Sequence, residues 1–176
     1  DDLDYERFDR GDFEDIDLRE FDIVWISHNE HDDNYNRAYN ENRERFEEWV
    51  DGGGVYYAST GTNRYNVVPI HPGGLRYTNA GSSNGRVQVS GDPDDDNYNF
   101  LAELMEWEPN TQLRGNSLFH VHYLQDNIDD LENSDWHQVI VDCEQHQTPG
   151  IVVYNFGRGM CIAAGTTDGH QHQHDQ

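Results

Sequence analysis

The stretch from residue 21 to residue 61 constrains the fold more than any other part of this chain. Residues 21–27 form an apolar run of strand-forming side chains, short enough for a buried strand. Apolar residues then recur with helical spacing over residues 35–50, and three glycines at 52–54 favour the end of that helix. Residues 55–59 have the composition of a second buried strand. A strand, a helix and a strand with short connections predict a right-handed βαβ unit with two parallel strands.

The length and charge of the chain limit its organisation and its partners. Its 176 residues suffice for one domain, which we place over residues 1–168, with an acidic arm at 1–20 and a flexible His-rich tail at 169–176. The net charge is -24, and all 11 basic residues are arginine. Such a charge excludes nucleic acids and anionic membranes as partners and favours cations, calcium above all. An alternative is adaptation to salt, and no apolar stretch approaches the ~20 residues of a membrane span.

The rest of the chain contains further predicted strands and helices. Residues 71–85 are rich in glycine and asparagine and predict a loop. Residues 100–105 show one apolar helical face. Alternation predicts strands at residues 86–90 and 118–124, and apolar composition predicts three more near the end of the chain, at 139–143, 151–156 and 160–164. A tight hairpin at Gly157-Arg158-Gly159 joins the last two of these strands.

Four passages resemble the class I glutamine amidotransferase-like fold, in its divergent secreted and trehalose-utilisation-type branch. They read DLREFDIVWIS, FEEWVDGGGVYYASTG, GDPDDDNYNFLAEL followed by NSLFHVHY, and TPGIVVYNFGRGMCIAAGTTD. The resemblance implies an α/β fold, namely a flavodoxin-like three-layer sandwich. Its sheet would be mostly parallel, with helices on both faces and a C-terminal antiparallel hairpin.

The resemblance does not extend to the family's catalytic residues. Its cysteine nucleophile lies in a G-x-C-x-G elbow, and the matching residues 57–61 place Ser59 at that position and Tyr57 in place of the first glycine. The family's late His-x-Glu pair has no counterpart. The alternative is a hydrolase that uses Ser59 with His28, His31 or His120. His28 and His31 follow the first strand, where ligands gather in open α/β sheets, and could instead bind a metal.

Two further patterns suggest metal binding. Asp92, Asp94, Asp96 and Glu103 have the spacing of the acidic ligands in an EF-hand loop and predict a Ca²⁺ site. The alternative is a solvated acidic loop that caps a helix. The tail histidines could bind zinc or copper weakly, although a disordered polar tail is the favoured interpretation; they are His170, His172 and His174.

The two cysteines predict a disulfide between Cys143 and Cys161. Each lies in one of the last three strands, and consecutive strands with short connections are usually neighbours. Two buried thiols are the alternative. With a lysine-free acidic surface, the disulfide leads us to expect an extracellular or cell-surface protein.

These observations predict a non-catalytic, exported interaction or structural module that works as a subunit of a larger assembly. Nothing before residue 21 resembles the apolar central strand with which flavodoxin-like domains begin. An open strand edge would favour strand addition from a protein partner or a second copy, unless the acidic arm packs across it. The many tyrosines and tryptophans suit protein or carbohydrate contacts. The alternatives are a hydrolase and a calcium-dependent binding module.

Overall fold

The computed structural model describes residues 5–27, 33–60, 66–114 and 119–166, without the side chains of residues 79–82 and 120. A 3₁₀ turn (Leu18–Glu20) precedes β1, and a second (Pro72–Gly74) follows β2. The helices and strands, in chain order, are β1 (Ile23–Ser27), α1 (Asp33–Glu41), α2 (Arg43–Asp51), β2 (Val55–Ser59), β3 (Tyr77–Ser83), β4 (Gly85–Val87), α3 (Phe100–Leu104), β5 (Gln112–Leu113), β6 (Phe119–Tyr123), α4 (Gln125–Asp129), β7 (His137–Cys143), β8 (Thr148–Phe156) and β9 (Gly159–Ala164).

The predicted flavodoxin-like three-layer sandwich is wrong. Seven strands form a curled, mixed sheet, a half-barrel in the order β1-β2-β9-β8-β7-β4-β5, while β3 and β6 form a separate two-stranded sheet. In the large sheet only β1–β2 and β2–β9 are parallel, and the four other neighbouring pairs are antiparallel. Short turns join β7, β8 and β9, whereas a parallel pair needs a long crossover. The mostly parallel sheet that the resemblance implied is therefore wrong beyond the strands that pair with β2.

The βαβ unit itself forms as predicted. β1 and β2 are parallel, and their register runs from Ile23 opposite Val55 to Ser27 opposite Ser59. The single predicted helix is divided into α1 and α2 at Asn42, whose side-chain amide donates to the Ala38 carbonyl at 3.0 Å. Asparagine side chains compete in this way with the backbone hydrogen bonds of a helix.

The two faces of the large sheet have separate cores. On one face, α1 and α2 pack against inward-facing residues of β2 and β9, including Tyr56 and Cys161. The core on the other face contains Phe119, Ala102 and residues of β4, β7 and β8. This second core lies towards the β7 side of the sheet and leaves Ile23 and Trp25, at the β1 end of the same face, exposed.

The acidic arm is part of the first core. Phe13 is 3% exposed, and its ring meets those of Tyr35 and Phe46 edge-on at 5.2 and 5.8 Å. The Arg45 guanidinium donates to the carbonyls of Phe13 and Ile16, the latter at 2.6 Å. These contacts hold the arm on the helical face, so the described part of the arm, residues 5–20, adds no strand to the sheet.

The loop predicted over residues 71–85 is wrong in part, because β3 occupies Tyr77–Ser83. It pairs antiparallel with β6, from Tyr77 opposite Tyr123 to Asn79 opposite Val121, before a register shift. Its glycine, asparagine and serine residues gave no strand signal, because the pairing depends on a partner distant in sequence. None of the helices in the described ranges has the length and apolar character needed to span a membrane.

Candidate functional site

Three rows of side chains cross β1, β2 and β9 on the face opposite α1 and α2. Strand register aligns Ile23 with Val55 and Met160 in the first row. Side chains alternate along a strand, so the second and third rows share this face. We call these nine residues the open face; they are Ile23, Trp25, Ser27, Val55, Tyr57, Ser59, Met160, Ile162 and Ala164. None of them carries a formal charge at neutral pH.

Exposure on the open face is greatest at β1. Ile23 is 64% exposed and Trp25 is 57% exposed, whereas Tyr57 beside them is half-buried. The Trp25 and Tyr57 rings lie 5.8 Å apart at an angle of 34°, and the Trp25 indole N–H donates to Ser59 Oγ at 3.0 Å. Large apolar side chains are unusual in such a position on a monomer surface, so this contiguous patch is the strongest candidate for a binding surface.

The backbone of β1 is open along its outer edge. β1 is the terminal strand of the sheet. Among the described residues, only β2 and no turn or loop makes backbone hydrogen bonds to residues 23–27. The strand IVWIS contains no charge, proline or bulge, which are the features that usually protect an edge strand from pairing. The edge and the open face therefore meet at Trp25.

The described residues place Ser59 at the end of β2, beside Trp25. Its side chain is fully buried and accepts the Trp25 hydrogen bond. The backbone N–H of Thr60 donates to Ala164 at 2.8 Å, and the next described helical turn begins at Pro72, so the described chain shows no strand-to-helix elbow. His28 and His31 lie outside the described residues, as does the side chain of His120.

We expect a fluorophosphonate probe to leave Ser59 unlabelled in the native chain. Its hydroxyl is buried beneath the indole and held there by a hydrogen bond, so the probe cannot reach it. Intact-mass measurement after incubation tests this, with a known serine hydrolase in the same tube as the positive control. Stoichiometric labelling that disappears in Ser59→Ala would restore the hydrolase hypothesis.

The predicted calcium ligands are not brought together. The Asp92 carboxylate accepts from the backbone N–H of Asp94 at 3.0 Å, and Glu103 accepts from the Tyr98 hydroxyl at 2.5 Å. The Asp92, Asp94, Asp96 and Glu103 side chains are exposed. Within the described ranges no three His, Cys, Asp or Glu side chains are grouped so as to hold a metal ion. The loop thus has the geometry of the alternative, an acidic loop before α3, and calcium binding stays a prediction.

A shallow pocket beside this loop is lined by several acidic residues. Its volume is about 440 Å³, and Trp107 lies in its wall. The carboxylates around it are those of Asp92, Glu103, Glu106 and Glu108. Trp107 packs against the second core, so the pocket and the open face are on the same side of the sheet.

The predicted disulfide between Cys143 and Cys161 is wrong. Both thiols are free and buried. β8 separates their strands, which places the two backbones about 9–10 Å apart, and a disulfide joins Cα atoms less than about 7 Å apart. Cys143 belongs to the second core and Cys161 to the first, so they also lie on opposite faces. The disulfide therefore no longer supports an extracellular location, which stays a prediction.

We expect both cysteines to be unreactive in the native chain and both to be alkylated after unfolding. Burial raises the pKa of Cys161 to about 12 and raises the pKa of Cys143 above its ordinary value, so few thiolates form near neutral pH. Mass spectrometry after iodoacetamide treatment without reductant measures this. Failure of the unfolded chain to take up two adducts would show that the thiols are bonded.

A pair of histidines outside the predicted site lies close together. His122 Nδ1 is hydrogen-bonded to Thr148 Oγ1, and the His122 and His146 rings meet edge-on at 5.2 Å. Burial, and then His146, lower the pKa of His122, which favours its neutral form. Sequence alternation predicted the strand that carries His122, but nothing in the sequence indicated that the β7–β8 turn brings His146 to it.

No protein-family model matches this chain, and no curated protein matches it. Among solved structures it is similar to two beta-galactosidases. That of Bacillus circulans sp. alkalophilus has a TM-score of 0.47 at 11% identity over 86% of this chain. That of Rahnella sp. R3 has a TM-score of 0.44 at 12% identity over 87% of the chain. This chain spans 21% of the length of each of them.

A third similar structure is the cytoplasmic protein STM3548 of Salmonella typhimurium. Its TM-score is 0.45 at 14% identity, over 90% of this chain and 65% of that protein. Similarity at this level carries no argument about fold or activity. The function of this chain must therefore be inferred from the geometry of its own open face.

Proposed function

We propose that this chain is a non-catalytic protein-interaction module, a subunit of a larger assembly, and that the open face with the outer edge of β1 is its binding surface. One observation supports this most strongly. Trp25 and Ile23 are more than half exposed on a face without charged side chains, in a chain whose net charge is -24. Interfaces are depleted of charge at their centres and enriched in aromatic residues and methionine, as this face is.

The composition of the rows favours a protein partner over a carbohydrate. A sugar site needs polar groups around its aromatic platform to bind hydroxyls. Trp25 lies between Ile23 and Ser27 on β1 and beside the half-buried Tyr57 ring, while the other serine near it, Ser59, is buried and already accepts from the indole N–H. Apolar neighbours of this kind complement a protein surface.

Photo-crosslinking from the open face tests the proposal. The photoreactive residue p-benzoylphenylalanine replaces Trp25 in one variant and Tyr5, which is 82% exposed on the arm, in the control. After irradiation in an extract of the source cells, we expect one discrete product from position 25, containing either another protein or a second copy of the chain. Position 5 should give no discrete product.

A second substitution makes the cross-linking result specific to the open face. Ile23 lies beside Trp25 on the same exposed face, so Ile23→Asp should abolish the product by placing a charge in the contact. Equal products from positions 5 and 25, or a product unaffected by Ile23→Asp, would contradict the proposed function.

A further inference from the structure

We infer that the occupant of the open face is a basic polypeptide segment that adds as a strand along β1, with apolar side chains over Trp25. This inference rests on the proposed function and names the chemical class of its partner. A second copy of this chain is the competing occupant. The unpaired edge and the arrangement of the rows indicate the form and side-chain pattern of the occupant, and the charge of the chain distinguishes a basic segment from a second copy.

The edge of β1 determines the form of the partner. Residues 23–27 are extended and pair only with β2 among the described residues, so their outward backbone groups are available to a new strand. Strand addition supplies main-chain hydrogen bonds along the whole edge, while pockets for alternate side chains supply specificity. An extended segment is the occupant that satisfies the edge and the face together.

The charge of the chain determines the sign of the partner. Two copies, each with a net charge of -24, repel one another as their surfaces approach. A cationic segment is instead attracted, because the open face is neutral while the rest of the molecule is strongly acidic.

The exposed rows determine the side-chain pattern of the partner. On the open face a strand beside β1 would lie next to Ile23 and Trp25, and every second residue would contact them. Those residues must be apolar, because a charged side chain placed against the indole and isoleucine would lose its hydration. The predicted ligand therefore alternates apolar and other residues and carries an excess of lysine or arginine.

The test titrates the full chain with short synthetic peptides and measures binding by calorimetry. The probe alternates lysine and valine; one control replaces valine with glycine at equal charge, and another replaces lysine with glutamate. We expect the lysine–valine peptide to bind at least about 10-fold more tightly than either control. Binding should weaken between about 20 mM and about 300 mM salt, because salt screens the attraction. Backbone amides of β1 should become protected from hydrogen exchange.

Two variants connect this binding to the open face. Trp25→Ser should weaken the lysine–valine peptide by at least about 10-fold, as expected for a central aromatic contact. Trp136→Ser is the matched control, since Trp136 is 44% exposed and lies beside β7, which three strands separate from β1. Equal binding of the glycine or glutamate peptide, equal loss in both variants, or no binding at all would overturn the inference.

Sedimentation of the same chain separates failure of this inference from failure of the proposed function. A chain that stays monomeric at both salt concentrations supports the inference. Self-association that strengthens with salt and disappears in Trp25→Ser would overturn it in favour of a second copy, while the proposed function would stand. If p-benzoylphenylalanine at position 25 gives no cross-linked product, the proposed function itself is contradicted.

Discussion

Replacing Phe13 with alanine is expected to lower the free energy of unfolding by about 3–5 kcal/mol, the range for removing a buried phenylalanine. Phe13 is 3% exposed, and its ring contacts those of Tyr35, Tyr39 and Phe46. The substitution would leave a cavity between the arm and the two long helices. Urea denaturation followed by circular dichroism measures the change.

Phe8→Ala is the matched control for this experiment. Phe8 lies on the same arm but is only half-buried, and its one described ring contact is with Phe21 at 5.4 Å. Its replacement should therefore cost much less stability than that of Phe13. Equal and small effects at both positions would mean that the arm does not belong to the core.

Replacing Gly159 with alanine should destabilise the chain by about 3 kcal/mol, at the upper end of the usual range for overpacking. A Cβ atom at this position would lie 2.1 Å from the Val50 carbonyl oxygen and 2.4 Å from that of Gly54. Val50 lies in the last turn of α2 and Gly54 directly precedes β2, so this backbone cannot move aside without disturbing the parallel pairing of β2 and β9. The same denaturation measurement applies.

Gly52→Ala provides the control in the same part of the structure. Gly52 ends α2 with right-handed helical angles, φ -70° and ψ -13°, which alanine adopts readily. The free energy of unfolding should change by less than about 1 kcal/mol, because the substitution mainly restricts the unfolded chain. A Gly159→Ala variant as stable as Gly52→Ala would contradict the close approach of α2 to β9.

Local patterns in the sequence predicted the features that depend on residues close together in the chain. The βαβ unit could be predicted from one apolar run, one helical period and three glycines. Its interruption at Asn42 could not, because it depends on whether one side chain turns back to the Ala38 carbonyl. The hairpin between β8 and β9 could also be predicted, because tight turns favour glycines such as Gly157 and Gly159.

Pairings between distant segments could not be predicted in the same way. The sheet order places β9 between β2 and β8, which no local pattern indicates. The same order separates Cys143 from Cys161, although both lie in the last three strands. The packing of the acidic arm could not be predicted either, because Arg45, which holds the arm, lies on a helix 29 or more residues away.

The sequence led us to expect an open strand edge, but it did not indicate that this edge would be β1. We predicted an open strand edge because a flavodoxin-like strand is missing from the sequence, and the mixed sheet contradicts that premise. The structure instead leaves β1 at the end of the sheet and exposes Trp25 and Ile23, which the sequence had placed in a buried strand. Periodicity cannot show this, because a strand covered on both faces and one covered on a single face can have equally apolar sequences.

Hydroxyl-radical footprinting of the chain, alone and in the complex recovered from its source, tests the open face most directly. Tryptophan and methionine report on this test, because Trp25 is exposed on the open face, whereas Trp136 and Met105 are exposed elsewhere. We predict that oxidation of Trp25 falls in the complex while that of Trp136 and Met105 is unchanged. Protection of Trp136 and Met105 with continued oxidation of Trp25 would contradict it.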